Sequence, residues 1–136
     1  VSRQSKLEID VEDTAHMILG FRYPPDKRQL IASLNMDFFR HDPTRRCTAI
    51  GQKGSLRWDV LDSTIHYFPA DAKNWEVLYT GPDNINDTYM EEVKHFFNCV
   101  QKMILPLISG TDGLRVLKVI EAAKKSSETG TLVLLD

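Results

Sequence analysis

Two long stretches of alternation, Thr14 to Tyr23 and Gln29 to Arg40, constrain the fold more than anything else in the chain. In the first, Ala15, Met17, Leu19, Phe21 and Tyr23 share one face, and Thr14, His16, Ile18, Gly20 and Arg22 share the other. In the second, Leu30, Ala32, Leu34, Met36 and Phe38 stand opposite Gln29, Ile31, Ser33, Asn35, Asp37 and Phe39. A period of two belongs to a strand. The link Pro24-Pro25-Asp26-Lys27-Arg28 has turn chemistry, so the two strands are expected to pair antiparallel. The resulting sheet has one clean apolar face to cover. Its second face mixes Ile18, Ile31 and Phe39 with His16, Ser33, Asn35 and Asp37, too apolar for open water and too polar for a dry core.

Further along, the same pattern recurs in shorter pieces. Leu7, Ile9 and Val11 alternate with acidic residues before Glu12-Asp13 and read as a strand or an extended lead-in. Beyond a charged loop, Arg40 to Arg45, Arg46 to Ile50 and Ser55 to Asp59 flank the turn Gly51-Gln52-Lys53-Gly54 as a hairpin. Thr64 to Phe68 and Trp75 to Tyr79 continue the meander. After Gly81-Pro82-Asp83-Asn84 the spacing turns helical, with Tyr89, Val93, Phe96, Phe97, Val100 and Ile104 as the stripe. Asp87 or Thr88 is the expected cap, Thr88 with Glu91 has the form of a capping box, and Pro106 is the expected stop. A second helix is expected to start at Ser109 or Thr111. Its stripe is Val116, Leu117, Ile120, Ala123 and Ser127, its outer face pairs Glu121 with Lys125, and Gly130 ends it. Thr131 to Leu135 then reads as a strand returning to the sheet. The expected fold class is α+β, a mostly antiparallel sheet with two C-terminal helices on one face, within a single domain spanning residues 1–136.

Charge and composition exclude several classes. A net charge of −2 offers no basic excess for a phosphate backbone, so nucleic acid is not an expected partner. No apolar run reaches the length of a spanning helix, so no membrane is expected either. Cys47 and Cys99 lack metal-ligand spacing, sit in apolar-patterned positions and fit a reducing compartment, with cytoplasm the expected location. The histidines show no H-E-x-x-H arrangement. Glu12 and Asp13 read as a solvated or hydrogen-bonded pair, and Tyr89 as a residue of the helical stripe.

The C-terminal third carries recognisable motifs. Asp87-Thr88-Tyr89-Met90-Glu91-Glu92-Val93-Lys94-His95-Phe96, Gly110-Thr111-Asp112-Gly113, and Ala122-Ala123-Lys124-Lys125-Ser126-Ser127 before Gly130 follow one another in order. Together with Glu12-Asp13-Thr14-Ala15 and the Ile50-Gly51-Gln52-Lys53-Gly54-Ser55-Leu56 turn, they resemble the C-terminal domain of the glucose-fructose oxidoreductase, inositol dehydrogenase and MocA (Gfo/Idh/MocA) family. The resemblance covers nearly the whole chain. It implies the substrate-side half of an NAD(P)-dependent oxidoreductase acting on a sugar, sugar derivative or cyclitol. The family's G-x-G-x-x-G turn and E-K-P segment are not in this sequence, so the chain is expected to lack the dinucleotide-binding half and to carry no cofactor or catalytic residue of its own.

Within that resemblance, the loop before the I-G-x-x-G hairpin borders the substrate pocket. Arg40, His41, Arg45 and Arg46 are therefore the candidate substrate-binding residues, with guanidiniums suited to a carboxylate or phosphate. The mixed sheet face, His16, Ile18, Ile31, Ser33, Asn35, Asp37 and Phe39, is the candidate interface of a dimer or tetramer. The alternative from another class is a free-standing dimerising or small-molecule-binding module without redox activity.

Overall fold

The computed structural model describes residues 1–23, 28–82 and 84–135; the expected turn over residues 24–27 lies outside them. Eight elements follow in order: β1 (Thr14–Tyr23), β2 (Arg28–Asp37), β3 (Arg46–Gly51), β4 (Gly54–Asp59), β5 (Thr64–Pro69), β6 (Glu76–Thr80), α1 (Ile85–Lys102) and α2 (Gly110–Thr129). The class is α+β, but the strands form two sheets, β1-β2 and the meander β3-β4-β5-β6, rather than one. Correspondingly the chain divides into two units, Val1–His41 with Leu107–Asp136, and Asp42–Pro106. The two helices are shared out between the units, α2 with β1-β2 and α1 with the meander.

In the first unit, β1 and β2 pair antiparallel in an unbroken register from Thr14↔Asp37 to Tyr23↔Arg28. That register sets His16 against Asn35, Ile18 against Ser33 and Gly20 against Ile31, so the mixed residues do share one face. Ala15, Met17 and Leu19 on the opposite face are half-buried, while His16 and Ile18 are exposed. The apolar face is thus turned inward along β1 from Ala15 to Leu19, while Phe21, Leu30, Leu34 and Met36 of the same face stay exposed. β2 stops at Asp37, and the Phe38 amide donates to the Asp13 carbonyl at 3.0 Å. Phe39 therefore lies beyond the strand to which its alternation had assigned it.

α2 begins at a complete capping box. Ser109 Oγ accepts from the Asp112 amide, and Asp112 Oδ2 accepts from the Ser109 amide at 2.9 Å. Gly130 closes it in the left-handed conformation at φ 65°. Its least exposed residues, Val119, Ala122, Ala123 and Ser126, lie to one side of the expected stripe, and Val116 and Leu117 of that stripe are exposed. Lys124, not Lys125, finds a carboxylate, pairing with Glu12 at 2.8 Å. Because the inward side is built from small residues, room is left against the hairpin. One cavity of about 280 Å³ is lined by His16 to Leu19 of β1, by Ala122 and Ser126 of α2, and by Leu132, Val133 and Leu135.

Of the two readings for the N-terminal segment, strand or extended lead-in, no strand forms, and the C-terminal segment does not form its expected strand. The Ser2 amide bridges to the Thr14 carbonyl, the Ile9 amide turns back onto the Leu7 carbonyl at 2.9 Å, and Asp13 collects the amides of Gln4 and Ser5. These bonds fold the lead-in on itself and override the alternation of Leu7, Ile9 and Val11. At the other end, Ser126 Oγ donates to the Thr131 carbonyl at 2.7 Å. That contact ties the first peptide after Gly130 to the helix, and residues 131–135 run beside β1 without joining its ladder.

In the second unit, the meander pairs antiparallel throughout, with one register shift between Ile65 and His66. Its first hairpin turns where expected. Gly54 sits at φ 143°, and a Cβ there would collide with the Phe68 carbonyl and the Tyr67 ring, so only glycine fits. Tyr67 Oη donates to the Lys53 carbonyl at 2.8 Å and clamps the turn to β5. On the Ser55-Arg57-Asp59 face, the Arg57 guanidinium lies 4.3 Å from the centre of the Trp75 ring, which meets Phe68 edge-on at 5.4 Å.

α1 is capped by Asn84, whose side chain accepts from the Asn86 amide at 3.1 Å. The expected caps Asp87 and Thr88 therefore fall inside the helix. An asparagine two residues after Pro82 fits the cap geometry equally well and adds a turn. The helix ends at Met103, left-handed at φ 50°, before Pro106 is reached. Tyr89, Val93, Phe96, Phe97 and Val100 form the expected stripe and are exposed. Cys99 is the buried apolar residue of the described chain, while Cys47, also patterned as a packing residue, is exposed.

Gly54→Ala is expected to cost about 1–3 kcal/mol, the range for a residue held in a disallowed conformation. Gly51→Ala, whose Cβ would meet only the Gly54 carbonyl oxygen at 3.7 Å, is expected to be nearly neutral. Urea denaturation of the two variants side by side checks the difference.

Candidate functional site

The charged loop between β2 and β3 holds the candidate substrate residues. Arg40 and His41 end the first unit and Arg45 and Arg46 open the second. All four are exposed. Arg46 starts β3 directly across from Asp59, the last residue of β4. Its Nε and Nη2 both donate to Asp59 Oδ2, at 2.9 and 2.6 Å. Asp59 is buried, and the Arg46 hydrogen bond holds its carboxyl below the usual carboxylate range, helped by the Leu61 and Asp62 amides. The Arg46 guanidinium thus locks the open end of the β3-β4 hairpin. Arg45 is held by its backbone, its carbonyl accepting from the Val60 amide at 2.9 Å. That anchoring leaves its side chain at the exposed rim of the hairpin.

The mixed face of β1-β2 is the other candidate. His16, Ile18, Ile31, Ser33 and Asn35 are exposed together, with Ile18 at 79% and Ile31 at 68% of their full areas. Two β-branched aliphatics at that exposure, diagonal to one another across the ladder, leave an apolar patch in a polar rim. Asp37, at the end of this face, is half-buried, and its Oδ1 takes no hydrogen bond.

Asp13 is the residue whose place the sequence did not reveal. It is 2% exposed, and its two oxygens accept from the Gln4 amide at 2.7 Å, the Ser5 amide at 2.8 Å, Ser5 Oγ at 2.6 Å and Thr14 Oγ1 at 3.0 Å. The Ser5 hydroxyl, with the Gln4 and Ser5 amides and Thr14, holds its carboxyl far below the usual range against the opposing effect of burial. Nothing in the spacing of Gln4, Ser5 and Asp13 marks this in advance, since two of the four donors are backbone amides.

Sites for prosthetic groups can be tested against the same geometry. Among the described residues no three His, Cys, Asp or Glu side chains gather as a metal would require. Gly51 and Gly54 join two strands instead of opening a helix. Gly110 and Gly113 do open α2, but Asp112 already fills that N-terminus with its own carboxylate. A pyrophosphate would meet negative charge there, so these residues do not fit a dinucleotide.

A comparison with protein-family models matches residues 2–135 to the oxidoreductase family C-terminal alpha/beta domain, the Gfo/Idh/MocA group. The chain belongs to this family. Comparison with curated proteins and with solved structures returned no match. For a Gfo/Idh/MocA C-terminal domain, the I-G-x-x-G turn has a direct physical reading here, since its second glycine, Gly54, is the position that admits no side chain. No helix among the described residues is long and apolar enough to cross a membrane.

Because the folded pKa of Asp13 is depressed, its contribution to stability is complete above the unfolded value near pH 4 and is lost as pH falls below it. Asp13→Asn is expected to lower the melting temperature by several degrees at pH 7 and to flatten the loss of stability below about pH 4. Thermal unfolding followed from pH 7 down to pH 2.5 checks both effects.

Proposed function

We propose that this chain is the substrate-side and oligomerisation domain of an NAD(P)-dependent oxidoreductase acting on a sugar, sugar derivative or cyclitol, and that it is not catalytic alone. Membership of the Gfo/Idh/MocA family over residues 2–135 is the observation that carries this reading. The sequence supports the second part, for it contains neither a G-x-G-x-x-G turn nor an E-K-P segment, and the glycine-bearing start of α2 does not fit a dinucleotide. The division of labour follows. A partner half holds NAD(P) and the proton-transfer group, while the loop from Arg40 to Arg46 supplies cationic contacts to the substrate.

Within that loop the roles divide. Arg46 acts through Asp59, fixing the hairpin on which the loop ends. Arg45, with His41 and Arg40, supplies the donors, a guanidinium being suited to a carboxylate or phosphate on the substrate. The β1-β2 face with Ile18 and Ile31 joins a second copy.

The test is NAD(P)-linked oxidation of a panel of polyols and sugar acids by the protein joined to its dinucleotide-binding half. Activity in the joined protein and none in the 136-residue chain is the expected result. Arg45→Ala is expected to raise KM about tenfold or more with the fold intact, as the loss of a charge-assisted hydrogen bond predicts. Arg46→Ala is expected instead to lower the melting temperature by stranding Asp59. Unchanged KM and kcat in Arg45→Ala would remove the loop from the substrate site. Absence of NAD(P) chemistry in the joined protein would favour the free-standing binding module.

A further inference from the structure

The first unit contains a second cavity, of about 250 Å³, at the end of the ladder where Thr14 meets Asp37. None of the four candidate substrate residues lines it. Its walls are apolar: Met17, Met36 and Phe38 from the hairpin side, Ile120 and Ala123 from α2. The small Ala123 side chain makes the space, and the two methionines give it adaptable walls. An apolar cavity of about 150 Å³ is enough to hold benzene. This one has room for an aromatic ring with a short tether.

Charge around the cavity is negative on balance. Glu12, Asp13 and Asp37 line it against two cations, Lys124 and the Val1 ammonium, and the latter is already bonded to Ser127 Oγ at 3.1 Å. The Lys124–Glu12 pair is partly exposed, with side-chain exposures of 47% and 39%, and so marks the wet edge of the cavity. Asp37 brings a buried carboxylate oxygen, Oδ1, that has no hydrogen-bond donor, an arrangement that costs free energy until a positive group approaches. Asp13, deprotonated throughout the neutral range, adds a fixed negative charge. An anionic guest would face this field unfavourably, and a neutral one would gain nothing from it.

We propose that this cavity is a binding site for a small cationic amphiphile, a primary ammonium carried on a short aryl or alkyl body. The body occupies the space between Met17, Met36 and Ala123. The ammonium stays at the Glu12 edge, sharing that carboxylate with Lys124 in the field of Asp37. The site stands on the cavity's own residues and is independent of the redox reading.

The chain provides its own control for the test. Of its four methionines, Met17 and Met36 line the cavity, while Met90 and Met103 belong to the other unit. With methyl-labelled methionine, 2-phenylethylamine, 2-phenylethanol and 3-phenylpropionate are titrated at low salt and followed by NMR. The amine is expected to shift the Met17 and Met36 methyls saturably, leave Met90 and Met103 in place, and bind at least tenfold tighter than the carboxylate. Ala123→Phe, or the milder Ala123→Leu if the larger ring unfolds the unit, is expected to abolish the shifts. Glu12→Gln is expected to weaken the amine several-fold without changing the alcohol. Equal binding of amine and carboxylate would overturn the proposal. So would shifts shared by all four methyls, binding retained in the filled-cavity variants, or no shift at amine concentrations of about 10 mM, the weak end of specific affinity.

Discussion

A two-stranded ladder does not stand alone in water, and that limit governs the first unit. Two strands leave both faces and both edges to solvent, and such a hairpin is marginal until something packs on it. Here the cover comes from one side only. α2, held at its ends by the Ser109–Asp112 box and the Gly130 turn, supplies that cover. The Lys124–Glu12 pair and the bonds between Ser127 and Val1 fasten it to the lead-in that precedes the ladder. The other face keeps Ile18 and Ile31 in the open. Two branched aliphatics at that exposure, set among polar residues, are why the oligomer proposal rests on this face.

Polar groups, more than apolar packing, fix the ends of the elements. Asp13 gathers four donors and turns the lead-in into a closed loop just ahead of β1. Asp59 takes both Arg46 donors and closes the first hairpin of the meander. Each carboxylate sits at the boundary of a sheet, is buried, and has its pKa lowered by hydrogen bonds that outweigh desolvation.

The parts of this fold legible in the sequence are those set by local period and turn chemistry. The faces of β1 and β2, the β3-β4 turn at Gly51 to Gly54, the Ser109 cap and the Gly130 stop all follow from side chains acting on their near neighbours. What could not be read depends on individual hydrogen bonds that periodicity does not report. Leu7, Ile9 and Val11 alternate as a strand would, yet Asp13 pulls Gln4 and Ser5 out of any ladder. Thr131 to Leu135 is β-branched and apolar, yet Ser126 holds its first carbonyl. The strands' division into two sheets is likewise invisible to periodicity, which reports a strand's faces and never its neighbours. At the candidate site, the family resemblance and the charge of the loop pointed to it, but could not tell Arg46, hydrogen-bonded to Asp59, from Arg45. That distinction needs the cross-strand register.

Family membership and exposure meet in one claim, that the open face of β1-β2 is built to be covered by another copy. The most direct test is the molar mass in solution, by sedimentation equilibrium at about 50 µM, well above the Kd of a specific homodimer. The account predicts a mass at least twice the 15.6 kDa of the chain, falling to 15.6 kDa when Ile18 and Ile31 are both replaced by Glu, with the far-ultraviolet circular dichroism unchanged. A wild-type mass of 15.6 kDa, or an oligomer indifferent to both substitutions, would contradict it.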